Sequence, residues 1–311
     1  MNKVKGVLFA VISAIAFGVS PILISMTYSM GNNFMMMAFT RNLLVIPFLL
    51  LYVGYRRLSL KLNKKQFFQM CLLTIVGICT SLMALYASYT FIPVALSSSI
   101  HFIYPTIVAV ASVFLFKEKL SFLRKVALVC SLSGIMLMAN FKDGSADLLK
   151  GVVLAIISGS AYSFYILYMA KSGLLRLPTI VVTFYTCIIS SVFLGLVAVF
   201  SGKFTPFEMS LEGWLITLFI SIMITILGTM FTQLAVRNVG TTITSVLSTL
   251  EPITTIIIGV LLYNETVGRV KLIASFLILM SVFLLALDQK NMARKRAKNI
   301  ERYEDIIADE F

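Results

Sequence analysis

Residues 97–120 read SSSIHFIYPTIVAVASVFLFKEKL, and residues 244–267 read TSVLSTLEPITTIIIGVLLYNETV. Laid over one another at an offset of 147, they match Pro105 with Pro252 and Glu118 with Glu265, so both carry a proline and a glutamate at a spacing of 13. A second register, at an offset of 145, lays 151–164 (GVVLAIISGSAYSF) on 6–19 (GVLFAVISAIAFGV). Small residues recur by four in both: Ala10, Ala14 and Gly18, then Ala155, Gly159 and Ser163. That spacing lets helix backbones approach closely. Two registers so similar imply a duplicated chain, with one copy over 1–142 and the other over 150–288.

The 311 residues are 59% hydrophobic and 13% charged, with a mean hydropathy of +0.98, which excludes an ordinary soluble domain. The apolar residues fall into ten stretches, 6–28, 34–53, 67–86, 94–116, 123–139, 151–170, 180–200, 213–236, 241–263 and 272–287. Each is long enough to cross a hydrocarbon core of about 30 Å as a helix. The expected fold class is therefore an all-α integral membrane bundle of ten transmembrane helices. Five spans per copy oblige the second copy to enter the membrane from the opposite face, so the repeats are inverted. Residues 289–311 form a basic tail, and the first hydrophobic stretch is too long for a signal peptide and reads as a retained helix.

The net charge of +13 could suggest nucleic acid, but its distribution points to a membrane. With both termini cytoplasmic, most of the 26 Lys and Arg fall on the inner side, among them Lys3, Lys5, Arg56, Arg57, Lys64 and Lys65. The expected location is a plasma membrane, with lipids as neighbours and no nucleic acid partner. Cys71, Cys79, Cys130 and Cys187 have no metal-ligand spacing and read as small apolar fillers.

The duplicated ten-span layout, the small-residue first helix of each copy, and the Pro105–Glu118 and Pro252–Glu265 spacings resemble the drug/metabolite transporter superfamily, in particular its EamA-type branch. The resemblance implies a basket-like fold whose cavity draws on the first, third, fourth, sixth, eighth and ninth helices. It also implies transport: members export amino acids, related metabolites or drugs, and some work in uptake.

Arg41, His101 and Glu251 are the ionisable groups inside the spans. Insertion of Asp, Lys or Arg at a helix centre costs about 2.5–3.5 kcal/mol, so a residue of this kind asks for a functional reason. Thr241, Thr244, Ser248, Glu251 and Thr255 recur at three and four, forming a polar stripe on the ninth span. The matching face of the fourth span carries Ser97, His101 and Tyr104, and Pro105 and Pro252 each remove a helical N–H beside it. Glu251 reads either as a hydrogen-bond anchor or as a cavity carboxylate that binds an ammonium group or carries a proton. His101 reads as a packed neutral imidazole or as a cavity residue able to change protonation. Arg41 reads as an outer-leaflet anchor or inter-helix tie, or as a further site residue. Tyr86, Tyr162, Tyr165 and Gln233 are further cavity candidates because their polar ends need partners. Glu118 and Glu265 read as interfacial ion pairs.

No P-loop, metal-ligand cluster or nucleophile elbow occurs, so neither ATP-driven pumping nor an enzyme is expected, and no cofactor or metal. The pattern points to a secondary transporter of small polar or amphipathic organic solutes such as amino acids, most naturally an exporter working by alternating access, with protons as candidate coupling partners. Polyspecific efflux of cationic drugs and nutrient uptake are the alternatives within transport. A non-transporting scaffold is the alternative outside it, and a sealed bundle with no cavity would favour it.

Overall fold

The computed structural model describes residues 3–104, 106–107, 111, 121–138, 146–232, 234–235, 238, 247–248, 250–263, 268–270, 272–277, 279–281, 283–284, 287–288 and 291. Among these residues all regular structure is helical. The helices are α1 (Lys3–Tyr28), α2 (Phe34–Leu43), α3 (Ile46–Tyr55), α4 (Lys64–Leu72), α5 (Thr80–Ser88), α6 (Val94–His101), α7 (Phe122–Met138), α8 (Ala146–Ser172), α9 (Thr179–Phe200), α10 (Leu211–Met223) and α11 (Leu250–Tyr263). Six continuous stretches of 20–25 residues are helical and apolar enough to cross a membrane: Val4–Tyr28, Phe34–Tyr55, Lys64–Ser88, Ala146–Met169, Thr179–Phe200 and Leu211–Met230. They match the first, second, third, sixth, seventh and eighth expected spans, with ends shifted by up to several residues.

The bundle buries many hydroxyls within a largely apolar interior and turns large apolar side chains outward. Ser13, Ser81, Ser158, Ser190 and Thr217 are buried, whereas Leu51, Val192, Leu196 and Phe219 project outward. An apolar belt of this kind suits hydrocarbon, and the buried hydroxyls tie helices together.

Several spans are not the plain helices that their apolar runs suggest. The second is interrupted at Leu44 and Val45, between α2 and α3, where Pro47 enters the first turn of α3 and removes the N–H that Leu43 would have used. The third passes through a π-helical segment, Leu73–Cys79, between α4 and α5, and the eighth through another, Ile224–Met230, after α10. Both π segments contain Thr-Ile-x-Gly, at 74–77 and 225–228, an offset of 151, or one helical turn beyond the 147 register. In each the glycine meets an aromatic side chain, since a Cβ on Gly77 would lie 2.8 Å from Tyr165 Cβ and one on Gly228 2.8 Å from the Phe17 ring. Proline is tolerated within α1 by another device: Pro21 orphans the Phe17 carbonyl, and the Ser20 hydroxyl donates to it at 2.9 Å.

The first span of each copy packs against the other copy. α1 lies on α10, the second π segment and α11, whereas α8 lies on α5, the first π segment and α6. Repeat mates make matching bonds there: Ser13 Oγ donates to Gly228 O at 2.8 Å, and Ser158 Oγ donates to Ser81 O at 2.8 Å. Gly18 abuts the Glu251 carbonyl, where a Cβ would lie 2.6 Å away, and Gly159 abuts the His101 carbonyl, where it would lie 2.7 Å away.

Gly18→Val and Gly159→Val each drive a side chain into main chain that cannot swing aside. Each variant is expected to lose about 1–3 kcal/mol, read as a lowered melting temperature of the purified protein in detergent. Gly54→Ala, with nothing within 4 Å of the added carbon, is expected to melt at or slightly above the wild-type temperature.

Candidate functional site

The fourth and ninth spans also break, close to their prolines. α6 stops at His101, where Phe102 N–H donates to Ser98 O at 3.1 Å and Ile103 N–H to Ile100 O at 3.0 Å, and helix resumes at Tyr104. Pro105 lies outside the described residues. In the ninth span Ser248 is a turn residue whose carbonyl accepts Glu251 N–H at 3.0 Å, and α11 begins at Leu250. Pro252 therefore sits in the first turn of a new helix, where no N–H is required, and does not weaken a continuous one.

These breaks put helix ends inside the bundle. Glu251 occupies the first turn of α11, where unpaired backbone N–H groups favour a carboxylate. Arg41 occupies the last turn of α2, where unpaired carbonyls favour a cation. Arg41 Nη1 donates to the hydroxyl of Tyr86, which is 1% exposed in the core, and the carbonyl of Tyr86 accepts from Tyr28 Oη at 2.9 Å. Arg41 is thus turned inward and ties α2 to α5, the inter-helix tie among its sequence readings rather than the outer-leaflet anchor.

His101, Tyr104, Tyr162 and Tyr165 form one aromatic group from the fourth span and α8. Tyr104 stands edge-on to Tyr162 with centroids 4.9 Å apart, His101 lies 5.7 and 5.6 Å from the same two rings, and Tyr165 stacks on Tyr162 at 5.5 Å. His101 Nδ1 is 2.9 Å from Ser158 Oγ, which also lies 3.1 Å from Ser81 Oγ, so the ring is held by a hydroxyl network between α5 and α8. Ser163 Oγ donates to the Tyr104 carbonyl at 3.1 Å. Glu251 lies within electrostatic reach of Tyr89, Tyr104 and Tyr162, and Arg41 within reach of Tyr89, Tyr162 and Cys187.

His101, Tyr104, Tyr162, Tyr165 and Glu251 are each half-buried, so each keeps part of its surface solvent-accessible. Among the described residues the Glu251 carboxylate has no hydrogen-bond or ion-pair partner, and the same residues offer Arg41 no carboxylate.

Other sequence candidates are placed elsewhere or are not described. Ser97 is fully buried and bonded to Ser88, so it is an internal tie. Tyr86 reaches the site through its bond to Arg41 and through Tyr89, whose ring centroid lies 6.0 Å from its own. Thr255, expected on the polar stripe, is fully buried and donates to Gly18 O at 2.8 Å. Gln233, Thr241, Thr244, Glu118 and Glu265 lie outside the described residues. The sequence reading passed over Tyr89 and Ser98, whose hydroxyls lie side by side without making a hydrogen bond of proper geometry. It also passed over Ser158, although Ser158 is the repeat mate of Ser13. All four cysteines are free.

Ser158→Ala strands the His101 imidazole and removes a tie to Ser81. A loss of about 1–3 kcal/mol in thermal unfolding is expected, against no change for the exposed Ser160→Ala.

Comparison with known proteins gives the family and a likeness of fold. The family model of the EamA-like transporter family matches residues 4–140 and again 149–287. An uncharacterized transporter, sll1319, of Synechocystis sp. (strain ATCC 27184 / PCC 6803 / Kazusa) is 25% identical over 210 residues, 66% of this chain. The match spans 62% of that protein's length. A solved crystal structure of a protein superimposes with a TM-score of 0.64 at 17% identity, covering 91% of this chain and 97% of that one, a likeness of fold.

Proposed function

The chain belongs to the EamA-like transporter family and is an integral membrane transporter of small molecules, and from that premise we propose that it exports amine-bearing organic solutes such as amino acids and related metabolites. The observation that carries this reading is Glu251, a half-buried carboxylate at a helix break, without a counter-charge among the described residues and within electrostatic reach of Tyr104 and Tyr162; the reading takes the partly accessible faces of these side chains as the wall of an internal recess. A solute ammonium would supply the missing charge, and Tyr104, Tyr162 and Tyr165 offer ring faces to a cation. The aromatic wall also suits cationic drugs, which makes polyspecific efflux the second reading. The direction of transport rests on the family resemblance.

The reading includes the architecture. Two five-span repeats over 1–142 and 150–288, inverted in a plasma membrane with both termini inside, would let the halves exchange conformations about the recess and so alternate its access. The crossed packing of α1 and α8, each on the opposite half, supports it. Proton coupling through Glu251 is part of the proposal, since a carboxylate in a recess that opens to either face could carry a proton with each cycle.

In proteoliposomes the Glu251→Gln variant is expected to lower flux of an amine substrate at least roughly tenfold, the scale of a lost charge-assisted bond, and to abolish its response to an imposed pH gradient. Equal flux with equal pH dependence would overturn the role of Glu251. Orientation has its own test in intact cells. Lys203→Cys is expected to react with a membrane-impermeant thiol reagent and Lys61→Cys to react only after permeabilisation; the opposite pattern would reverse the topology.

A further inference from the structure

The chain between α3 and α4 has no regular structure, yet it is fastened along its length. Leu58 and Leu60 join the cluster of Val45, Leu49 and Val53 with Ile180, Val181 and Phe184 of α9, and Leu62 joins that of Met70, Leu73 and Leu174. The Tyr185 hydroxyl, on α9, donates to the Leu60 carbonyl. Leucines that face inward at every second residue turn the residues between them outward. Arg57, Ser59, Lys61 and Asn63 are accordingly exposed, as are Arg56 before them and Lys64 and Lys65 after. Arg176, exposed on the short turn Leu174–Arg176 that packs against α4, adds a further cation. The sequence supplies these cations with no neighbour of opposite sign: the first carboxylate side chain is Glu118, and none lies between Asp147 and Glu208. Among the described residues none of the six makes an ion pair.

Three of the six stand where local preference is against them. Arg57 has φ +50° at the end of α3, where its N–H returns to Gly54 O at 3.1 Å and that of Leu58 to Val53 O at 3.0 Å, a turn that usually takes glycine. Lys64 and Lys65 occupy the first turn of α4, whose N–H groups favour an anion, and no acidic residue accompanies them. Depth is marked by aromatics. Tyr55, which ends the stretch Phe34–Tyr55, is 84% exposed, and Phe67 and Phe68, near the start of Lys64–Ser88, are 51% and 67% exposed. Exposed aromatics at the ends of spans sit at headgroup level, which sets the cations at the depth of lipid phosphates.

We propose that the strap 56–65, with Arg176, is a binding ledge for anionic phospholipid headgroups, whose acyl chains lie along the apolar surface that α3 and α4 turn outward. Charge asymmetry across a membrane requires only that cations lie on one side; a headgroup site requires them to be held in place, as the three leucines and Tyr185 hold these. A lipid phosphate supplies the anion that the first turn of α4 lacks. An acidic protein would match the charge but would leave Tyr55, Phe67 and Phe68 without a use.

The test is retention of phospholipid by the purified full-length protein in neutral detergent, supplied with equal amounts of phosphatidylglycerol and phosphatidylcholine of identical acyl chains and read per protein by mass spectrometry. The wild type is expected to favour phosphatidylglycerol roughly tenfold or more, with the ratio falling as salt is raised. The combined variant R56Q/R57Q/K61Q/K64Q/K65Q is expected to bring the ratio close to unity while melting in detergent alone as the wild type does, since these side chains make no bond to the described residues. K290Q/R294Q/K295Q/R296Q/K298Q removes the same charge elsewhere and is expected to keep most of the preference. No preference in the wild type, or equal loss in the two variants, would overturn the ledge. Glycerol 1-phosphate, a headgroup phosphate without acyl chains, is expected not to displace the lipid at equal concentration; displacement would make the ledge a general phosphate site and overturn the lipid assignment. The acidic residues near the end of the chain are the competing occupant. A preference that emerged only in E301Q/E304Q/D305N/D309N/E310Q would give the ledge to that segment and overturn the proposal. The wild-type ratio needs no substitution, so it decides even if a variant proves unstable.

Discussion

A backbone that crosses hydrocarbon finds no water to bond with, so each N–H and C=O must be satisfied within the protein. Prolines make that constraint visible here. Within α1 the Ser20 hydroxyl donates to the carbonyl that Pro21 orphans, and the helix continues. At Pro47 and Pro252 the chain instead ends one helix and begins another, with the proline in a first turn where its missing N–H is not needed. The consequence of the second solution is electrostatic: helix ends with partial charges lie inside the bundle. Arg41 sits at an end that favours a cation, and Glu251 at one that favours an anion.

The same solvent removes the hydrophobic drive between helices, so contact depends on close approach and on hydroxyl bonds. Ser13 and Ser158 each donate across to a third-span or eighth-span carbonyl of the other copy, and Gly18 and Gly159 let main chains meet at those crossings. The first span of each copy is therefore a structural part of the opposite half. A movement of one half against the other would have to carry these crossed helices with it.

Much of this was legible in the sequence. Spans of about 20 apolar residues show themselves because hydrocarbon thickness sets their length, and the two repeat registers showed which residues correspond. Glu251, His101, Tyr104, Tyr162 and Tyr165 were legible as candidates because polar groups at helical spacing in an apolar run need a reason; the four ring-bearing residues do pack together, with Glu251 within electrostatic reach of two of them. The interruptions were legible only in part: Pro105 and Pro252 marked the fourth and ninth spans as places of a helix break, but a proline announces a lost N–H and not whether a serine, a break or a neighbour makes it good, so the different outcomes at Pro21 and Pro47 were not readable. The π segments were written in a repeated Thr-Ile-x-Gly, yet a π turn differs from an α turn by a single residue and leaves the hydropathy unchanged. The direction of Arg41 depends on which helices flank α2, and Ser97 and Thr255 became internal ties for the same kind of reason. Tyr89 follows Tyr86 by three residues and shares its face, but only packing shows that one hydroxyl is engaged and the other is not.

The copies have diverged where they meet. At the crossing of α8 with the fourth span, Ser163 donates to the carbonyl of Tyr104, whereas the repeat mate of Ser163 is Gly18, which meets the Glu251 carbonyl with no side chain at all. One crossing is pinned by a hydroxyl, and the other is held by close contact and by the Thr255 bond to Gly18 O. Equivalent backbones thus carry unequal chemistry: an aromatic ring on the pinned side and a carboxylate on the other. Two halves that traded conformations would not pass between states of equal energy, because each state would set a different chemistry against the tighter crossing. In the proposed exchange of conformations, the divergence of Tyr104 from Glu251 and of Ser163 from Gly18 would supply the difference between the two arrangements that a bound solute can act on.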